Sequence, residues 1–192
     1  MNKYGGQLKK KVFGPILILL FILAGCAQVR VYSSNPASQS ISNAYYDAEY
    51  EPQLAEGRHY FNAFRLVITN KTDKALVLDW SKTYYLLNGR RNGQFGWDEM
   101  SFEQLQGIKD QPLVTIRPEN TLSTVVFPLK LIAWEQYRRG GSGRQQDSKP
   151  EESFYPGVLP EGESGISLYV KQANKVIQER LTCNITLEIL KK

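Results

Sequence analysis

The chain has 192 residues, with 24 Lys and Arg against 19 Asp and Glu, and a formal charge of +5. The first 25 residues contain no acid and four of the basic residues, Lys3, Lys9, Lys10 and Lys11. The rest of the chain is therefore nearly neutral, which argues against a nucleic-acid-binding protein. A single histidine, His59, leaves little material for a metal centre or histidine-dependent catalysis, so we predict no enzyme, no metal and no cofactor.

In chain order, the first feature is an apolar run that follows the lysines and ends in Leu23-Ala24-Gly25-Cys26. A basic segment, an apolar segment and small residues at a cut site are typical of a secretory signal peptide. These four residues resemble the lipobox of bacterial lipoproteins. The resemblance implies cleavage between Gly25 and Cys26, and attachment of diacylglyceryl and fatty acyl chains such as palmitate to Cys26.

The resemblance also implies a location. Each buried methylene group contributes about 0.8 kcal/mol, so two or three acyl chains on Cys26 would anchor the protein in a membrane. Residue 27 is Ala, whereas an Asp there retains enterobacterial lipoproteins in the inner membrane. For a Gram-negative source we expect the periplasmic face of the outer membrane. The alternative is an uncleaved membrane helix over residues 12–29, although Gly14 and Pro15 interrupt its start.

The cleavage site suggests three parts. Residues 1–25 are the predicted signal peptide, residues 26–43 a lipidated cysteine with a flexible tether, and residues 44–192 a globular domain. The tether prediction rests on the polar, short side chains of residues 33–40, which bury too little apolar surface to fold alone.

The globular part is rich in strand patterns. Alternating, β-branched and aromatic residues predict strands at 45–50, 61–70, 75–80, 83–87, 113–116, 121–129, 165–171 and 177–190. Asn88-Gly89 predicts a hairpin turn. Ser101 with Gln104 fits a capping box, so we expect a short connector helix over 101–106. Residues 129–134 fit a helix or a strand, and 138–160 read as a long irregular loop.

Strands without a βαβ rhythm predict an all-β protein, and the expected fold is an antiparallel β-sandwich of immunoglobulin-like type. Trp80, in an apolar strand, suits its core. Cys183 alternates with apolar neighbours near the end of the chain, so we expect it to be buried rather than reactive.

Three groups of side chains are candidates for a site. The numerous aromatic residues favour a binding surface, predicted at Tyr45, Tyr46, Tyr84, Tyr85 and Trp97. Because adjacent tyrosines point to opposite faces of a strand, one of each pair should face outward. Asp47, Glu49 and Glu51 would share one strand face, typical of a solvated edge but also usable for glycoside hydrolysis or calcium binding.

The basic residues form the third group. These residues could bind anionic lipid headgroups or acidic glycans, and the alternative is that they lie in solvated loops. They are Arg90 and Arg91, and the cluster Arg138, Arg139 and Arg144.

These observations favour a non-enzymatic envelope lipoprotein that binds membrane lipid through Cys26 and a protein partner through its β-sandwich domain. The alternatives are a carbohydrate- or peptidoglycan-binding module and, with less support, an envelope hydrolase using the carboxylates at 47, 49 and 51. The sequence leaves the oligomeric state open.

Overall fold

A computed structural model describes residues 29–98, 100–101, 104–105, 111–137 and 151–190. One compact unit spans residues 31–188. The predicted signal peptide, lipobox and lipidated Cys26 lie outside the described residues, as do Arg138, Arg139 and Arg144.

The described residues are predominantly β-strands connected by turns. In chain order the strands are β1 (Val29–Asn35), β2 (Gln39–Ser42), β3 (Tyr46–Leu54), β4 (Phe61–Asn70), β5 (Leu76–Asp79), β6 (Tyr84–Leu87), β7 (Arg90–Arg91), β8 (Phe95–Trp97), β9 (Leu113–Ile116), β10 (Thr121–Pro128), β11 (Ile132–Tyr137), β12 (Glu151–Pro156), β13 (Gly162–Gln172) and β14 (Lys175–Leu190). Short 3-10 helices lie at Trp80–Lys82 and Leu129–Leu131.

Two large sheets organise these strands. A seven-stranded sheet has the order β1-β14-β13-β5-β9, with β6 beside β13 and β7 beside β6. A five-stranded sheet has the order β2-β3-β4-β10-β8, and β11 pairs with β12 separately. The long pairings β3–β4, β4–β10 and β13–β14 are antiparallel. The predicted all-β, antiparallel sandwich class is confirmed, and immunoglobulin-like topology stays a prediction.

The core lies between the inner faces of the two sheets. Tyr50 stacks on Phe64 within the five-stranded sheet, with ring centroids 4.3 Å apart, and Phe64 meets Tyr85 of the other sheet at 6.3 Å. Strand alternation brings the apolar side of each strand inward. As predicted, Trp80 and Cys183 are both buried, each only 2 % exposed.

Several local predictions are confirmed. Strands β4 and β9 have the predicted bounds. Asn88 and Gly89 both have positive φ, 50° and 73°, as the predicted hairpin turn between β6 and β7 requires. The capping box is present, because Ser101 N donates to Gln104 Oε1 at 2.8 Å and Gln104 N donates to Ser101 Oγ at 3.3 Å.

The predicted flexible tether is wrong for residues 29–42, which form β1 and β2. Tyr32 and Ile41 pack against the core, and Ser33 Oγ lies 2.8 Å from Thr186 Oγ1 on β14. The polar composition was misleading because a strand at a sheet edge is held by backbone hydrogen bonds and needs few apolar side chains.

The predicted loop at 138–160 is wrong in part, because residues 151–156 form β12 and pair with β11. The Gly- and Ser-rich residues before β12 suggested a continuous loop, and the partner strand was itself ambiguous in the sequence. Residues 138–150 lie outside the described part of the chain.

Candidate functional site

The residues of the predicted tyrosine surface do not form one exposed surface. Tyr46 and Tyr85 are 0 % exposed and belong to the core, so their inclusion is wrong. Each is the inward member of an adjacent pair, while Tyr45 and Tyr84 are partly exposed, as strand alternation requires. Trp97 is half-buried because it stacks on Trp80, with centroids 5.6 Å apart.

The hydrogen bond of Tyr85 shows how a tyrosine hydroxyl group is accommodated in the core. Tyr85 Oη lies 3.0 Å from Ser164 Oγ, so its hydroxyl group has a partner in the core. Burial is the main cause of the raised pKa of Tyr85, with a smaller contribution from Cys183, while the Ser164 hydrogen bond opposes it.

The three predicted carboxylates do share the outer face of β3, and each has a cationic partner. Glu51 lies 2.8 Å from Arg65, which is also 3.6 Å from Glu49. Lys71 lies 2.8 Å from Asp47, and its hydrogen bond is the main cause that lowers the pKa of that carboxyl. The charges on this face are therefore largely balanced.

A shallow cavity of about 570 Å³ adjoins these carboxylates. Its lining includes Ser40, Ser42 and Thr69 together with Asp47 and Glu49. The hydroxyl groups and carboxylates make it polar, and its acids are paired with Lys71 and Arg65.

Metal binding finds no support in the described ranges. They contain no group of three His, Cys, Asp or Glu side chains arranged to hold a metal ion. His59 is exposed in the turn between β3 and β4.

A different surface combines the features of a binding site, on the outer face of the seven-stranded sheet. Ser167, Tyr169 and Lys171 on β13 alternate with the buried Ile166, Leu168 and Val170 and so point outward. In the strand register Ser167 lies opposite Tyr84 on β6 and Arg180 on β14. We call this surface the Tyr169 face; its residues are Lys82, Tyr84, Arg91, Ser167, Tyr169, Lys171 and Arg180.

Cations lie over both tyrosine rings of this face. Lys82 Nζ is 5.0 Å from the centroid of the Tyr169 ring, and Lys171 Nζ is 5.4 Å from the same centroid. Arg91 Cζ lies 4.4 Å from the centroid of the Tyr84 ring. These distances are within the range of cation–π attraction. The two ring–cation groups lie on the neighbouring strands β6, β7 and β13 and on the short helix that holds Lys82.

One acid underlies this arrangement. The Asp79 side chain is only 5 % exposed, and its Oδ2 lies 3.5 Å from Lys171 Nζ and 3.8 Å from Lys82 Nζ. Burial raises its pKa, but the hydrogen bond from Ser81 and the two lysine charges outweigh that effect and hold the pKa below its usual value. Asp79 is thus an ionised anchor that holds both lysines beside Tyr169.

The charge of the Tyr169 face remains positive. Arg91 and Arg180 are exposed and add to Lys82 and Lys171, whereas Asp79 supplies one opposing charge from beneath the surface. Such a face can attract an anionic ligand and offer two phenol rings for contact.

Sequence reasoning identified only Tyr84 and Arg91 of this surface. Lys82 and Lys171 are far apart along the chain and meet at the Tyr169 ring. Strand pairing places Arg180 opposite Ser167. The available signal was the alternation in 165–171, which places Ser167, Tyr169 and Lys171 on the face opposite the core.

No protein family matches the chain, and no curated protein matches it either. Within the described ranges, no helix has both the length and the apolar character needed to span a membrane.

Proposed function

We propose that this chain is a lipid-anchored envelope lipoprotein whose β-sandwich domain is a non-enzymatic binding domain for an acidic protein partner. The anchor follows from the lipobox resemblance at Leu23-Ala24-Gly25-Cys26. In a Gram-negative source the domain would lie at the periplasmic face of the outer membrane.

The observation that carries the binding role is the Tyr169 ring with Lys82 and Lys171 on it, 5.0 and 5.4 Å from its centroid. Tyrosine is enriched at protein interfaces because its ring adds contact area at little conformational cost and its hydroxyl can pair with a partner. The buried carboxylate of Asp79 restrains the two lysines before any partner arrives, which reduces the entropy lost on binding.

The charge of the surface favours an acidic partner. A positive face speeds encounter with a negative surface and disfavours basic competitors. The outer face of the five-stranded sheet lacks this property, because Arg65 and Lys71 are already paired with Glu49, Glu51 and Asp47. We therefore assign the partner to the Tyr169 face.

The test is crosslinking of the tagged protein in its native membrane, followed by mass spectrometry. The comparison includes the wild type, Cys26→Ala and the double variant Lys82→Gln/Lys171→Gln. A matched control, Lys74→Gln/Arg117→Gln, removes the same charge from exposed positions elsewhere. We expect an envelope protein to be captured by the wild type and the control, and lost from the Lys82/Lys171 variant.

The other outcomes reassign the function. Equal capture by the Lys82/Lys171 variant would remove the Tyr169 face from the proposal, and equal membrane retention of Cys26→Ala would remove the lipid anchor. Recovery of acidic glycan or wall fragments in place of a protein would instead support the carbohydrate-binding alternative, for which Tyr84 and Tyr169 would be the aromatic contacts.

A further inference from the structure

We propose that one end of the sandwich docks on the lipid bilayer: the end formed by the turn between β3 and β4 and the segment that precedes β13. This inference rests on the proposed lipidation of Cys26. It gives the domain a defined orientation on the membrane, beyond simple anchorage.

The first argument is the short connection. Val31 is the first residue of the compact unit 31–188, and it follows Cys26 by five residue steps along the chain. A fully extended chain covers at most about 3.4 Å per residue, so the lipidated residue lies within about 17 Å of Val31. A long flexible spacer that would lift the domain away from the bilayer is thus excluded by the strands β1 and β2.

The second argument is which end of the domain Val31 occupies. The next residue, Tyr32, donates its backbone N–H to the carbonyl oxygen of His59 at 3.1 Å, in the turn between β3 and β4. Strand β4 then runs from Phe61 away from this turn for ten residues. At about 3.3 Å per residue, its far end lies roughly 30 Å away. The anchor therefore reaches the β3–β4 turn far more readily than the opposite end.

The third argument is the apolar surface at this same end. Leu54 closes β3 opposite Phe61, and Leu159 N donates to Phe61 O at 2.8 Å, which brings the preceding residue, Val158, to the same place. Leu54 is 54 % exposed and Val158 is 43 % exposed, whereas Phe61 and Leu159 are buried. Arg58 and His59 in the turn are exposed as well.

This combination fits the interface of a bilayer. Apolar side chains enter the boundary between headgroups and acyl chains, and a neighbouring arginine can pair with lipid phosphate. The acyl chains on Cys26 keep the domain at high effective concentration near the surface, so a small contact suffices for docking. We name the four residues Leu54, Arg58, His59 and Val158 the docking end.

The experiment measures depth with the full, acylated chain in vesicles of phosphatidylethanolamine and phosphatidylglycerol. An environment-sensitive thiol dye is attached at Glu56→Cys in the turn, or at Asp73→Cys in the turn after β4 as a matched acidic control; both residues are exposed. Cys183 is buried and does not compete for the dye. Brominated acyl chains then quench dyes that lie close to the bilayer.

We expect quenching at position 56 to exceed that at position 73 by about twofold or more, because quenching falls steeply with distance from the acyl chains. The double variant Leu54→Ser/Val158→Ser should lose this difference while keeping its unfolding midpoint, since both side chains are exposed. Equal quenching at the two positions, or no effect of the serine pair, would overturn the docking inference.

Mass spectrometry of the same sample separates this inference from the proposed function. Acyl chains on Cys26 together with equal quenching would refute docking alone. A Cys26 without acyl chains would refute the anchor and the docking inference that depends on it, and would leave the Tyr169 face to be judged by its own variants.

Discussion

Asn70, the last residue of β4, donates a hydrogen bond from Nδ2 to the carbonyl oxygen of Ile116 on β9, at 3.1 Å. The two strands belong to different sheets. The same amide nitrogen lies 2.9 Å from Lys74 O, and Asn70 Oδ1 accepts hydrogen bonds from the backbone N and the Oγ1 of Thr72. One buried side chain therefore ties the sheets together at the end opposite the docking end.

The first prediction concerns this amide. Asn70→Ala should lower the free energy of unfolding by about 2–3 kcal/mol, because it leaves buried backbone carbonyl groups without donors. Urea unfolding followed by tryptophan fluorescence measures the change. Asn184→Ala, at an exposed position of β14, is the matched control and should cost less than about 0.5 kcal/mol. Similar losses for both variants would contradict the role of Asn70.

The second prediction contrasts two core tyrosines. Tyr50 Oη is buried and has no hydrogen-bond partner among the described residues, whereas Tyr85 Oη is paired with Ser164 Oγ. Tyr50→Phe should therefore leave stability unchanged or raise it by up to about 1 kcal/mol, and Tyr85→Phe should lower it by about 1 kcal/mol. Both variants keep the aromatic ring, so packing is matched. A larger loss for Tyr50→Phe than for Tyr85→Phe would reverse the assignment.

The sequence predicted the interior of this fold better than its edges. Strand β4 could be read correctly because its apolar residues alternate and a polar turn follows it, and the buried position of Cys183 followed from the same periodicity. The edge strands β1 and β2 were missed because their serine-rich parts form strands through backbone pairing and show little apolar pattern. Strand β12 was missed because its pairing with β11 is not visible in local sequence.

Part of the candidate site could likewise be predicted from the sequence, and part of it could not. Local rules could place one tyrosine of each adjacent pair outside, and this identified Tyr84. They could not bring Lys82 and Lys171 to the ring of Tyr169, because that requires the packing of β13 beside the short helix at Trp80–Lys82. Nor could they identify Asp79 as the common anchor, since its lysine partners include one that is remote in the chain.

The third prediction is alkaline destabilisation through Tyr46. Burial, and secondarily the charge of Glu179, raise the pKa of Tyr46 to about 12. In the unfolded chain the Tyr46 hydroxyl group ionises near pH 10. The stabilisation from keeping this group neutral in the folded protein is therefore complete below that pH and is lost as the pH rises toward 12. Tyr46→Phe should make the fall in unfolding free energy between pH 9 and pH 11 shallower, by about 1.4 kcal/mol at pH 11, because one pKa unit corresponds to about 1.4 kcal/mol.

The measurement is urea unfolding at pH 9, 10 and 11. At these pH values the wild type should remain folded without urea, so its unfolding curve can be recorded. Tyr45→Phe is the matched control, because the Tyr45 side chain is partly exposed beside Lys175. Parallel pH profiles for the wild type and Tyr46→Phe would contradict the assignment.

The fourth prediction is acid destabilisation through Asp79, whose folded pKa lies below its usual value. A depressed carboxyl pKa contributes stability that is present above the unfolded pKa of about 4 and is lost as the pH falls through the folded pKa. The difference in unfolding free energy between the wild type and Asp79→Asn should therefore be largest near pH 7 and shrink below about pH 4. Urea unfolding at pH 7, 4 and 3 measures it.

Asp98→Asn serves as the control for Asp79, because Asp98 is exposed and the substitution removes the same charge from the surface. If the difference in unfolding free energy between the wild type and Asp79→Asn stays constant from pH 7 to 3, Asp79 acts through packing rather than charge. A difference in unfolding free energy that shrinks as expected would instead show that the ionised carboxylate stabilises the fold. The same carboxylate restrains Lys82 and Lys171, so acidification should loosen the Tyr169 face before the core unfolds.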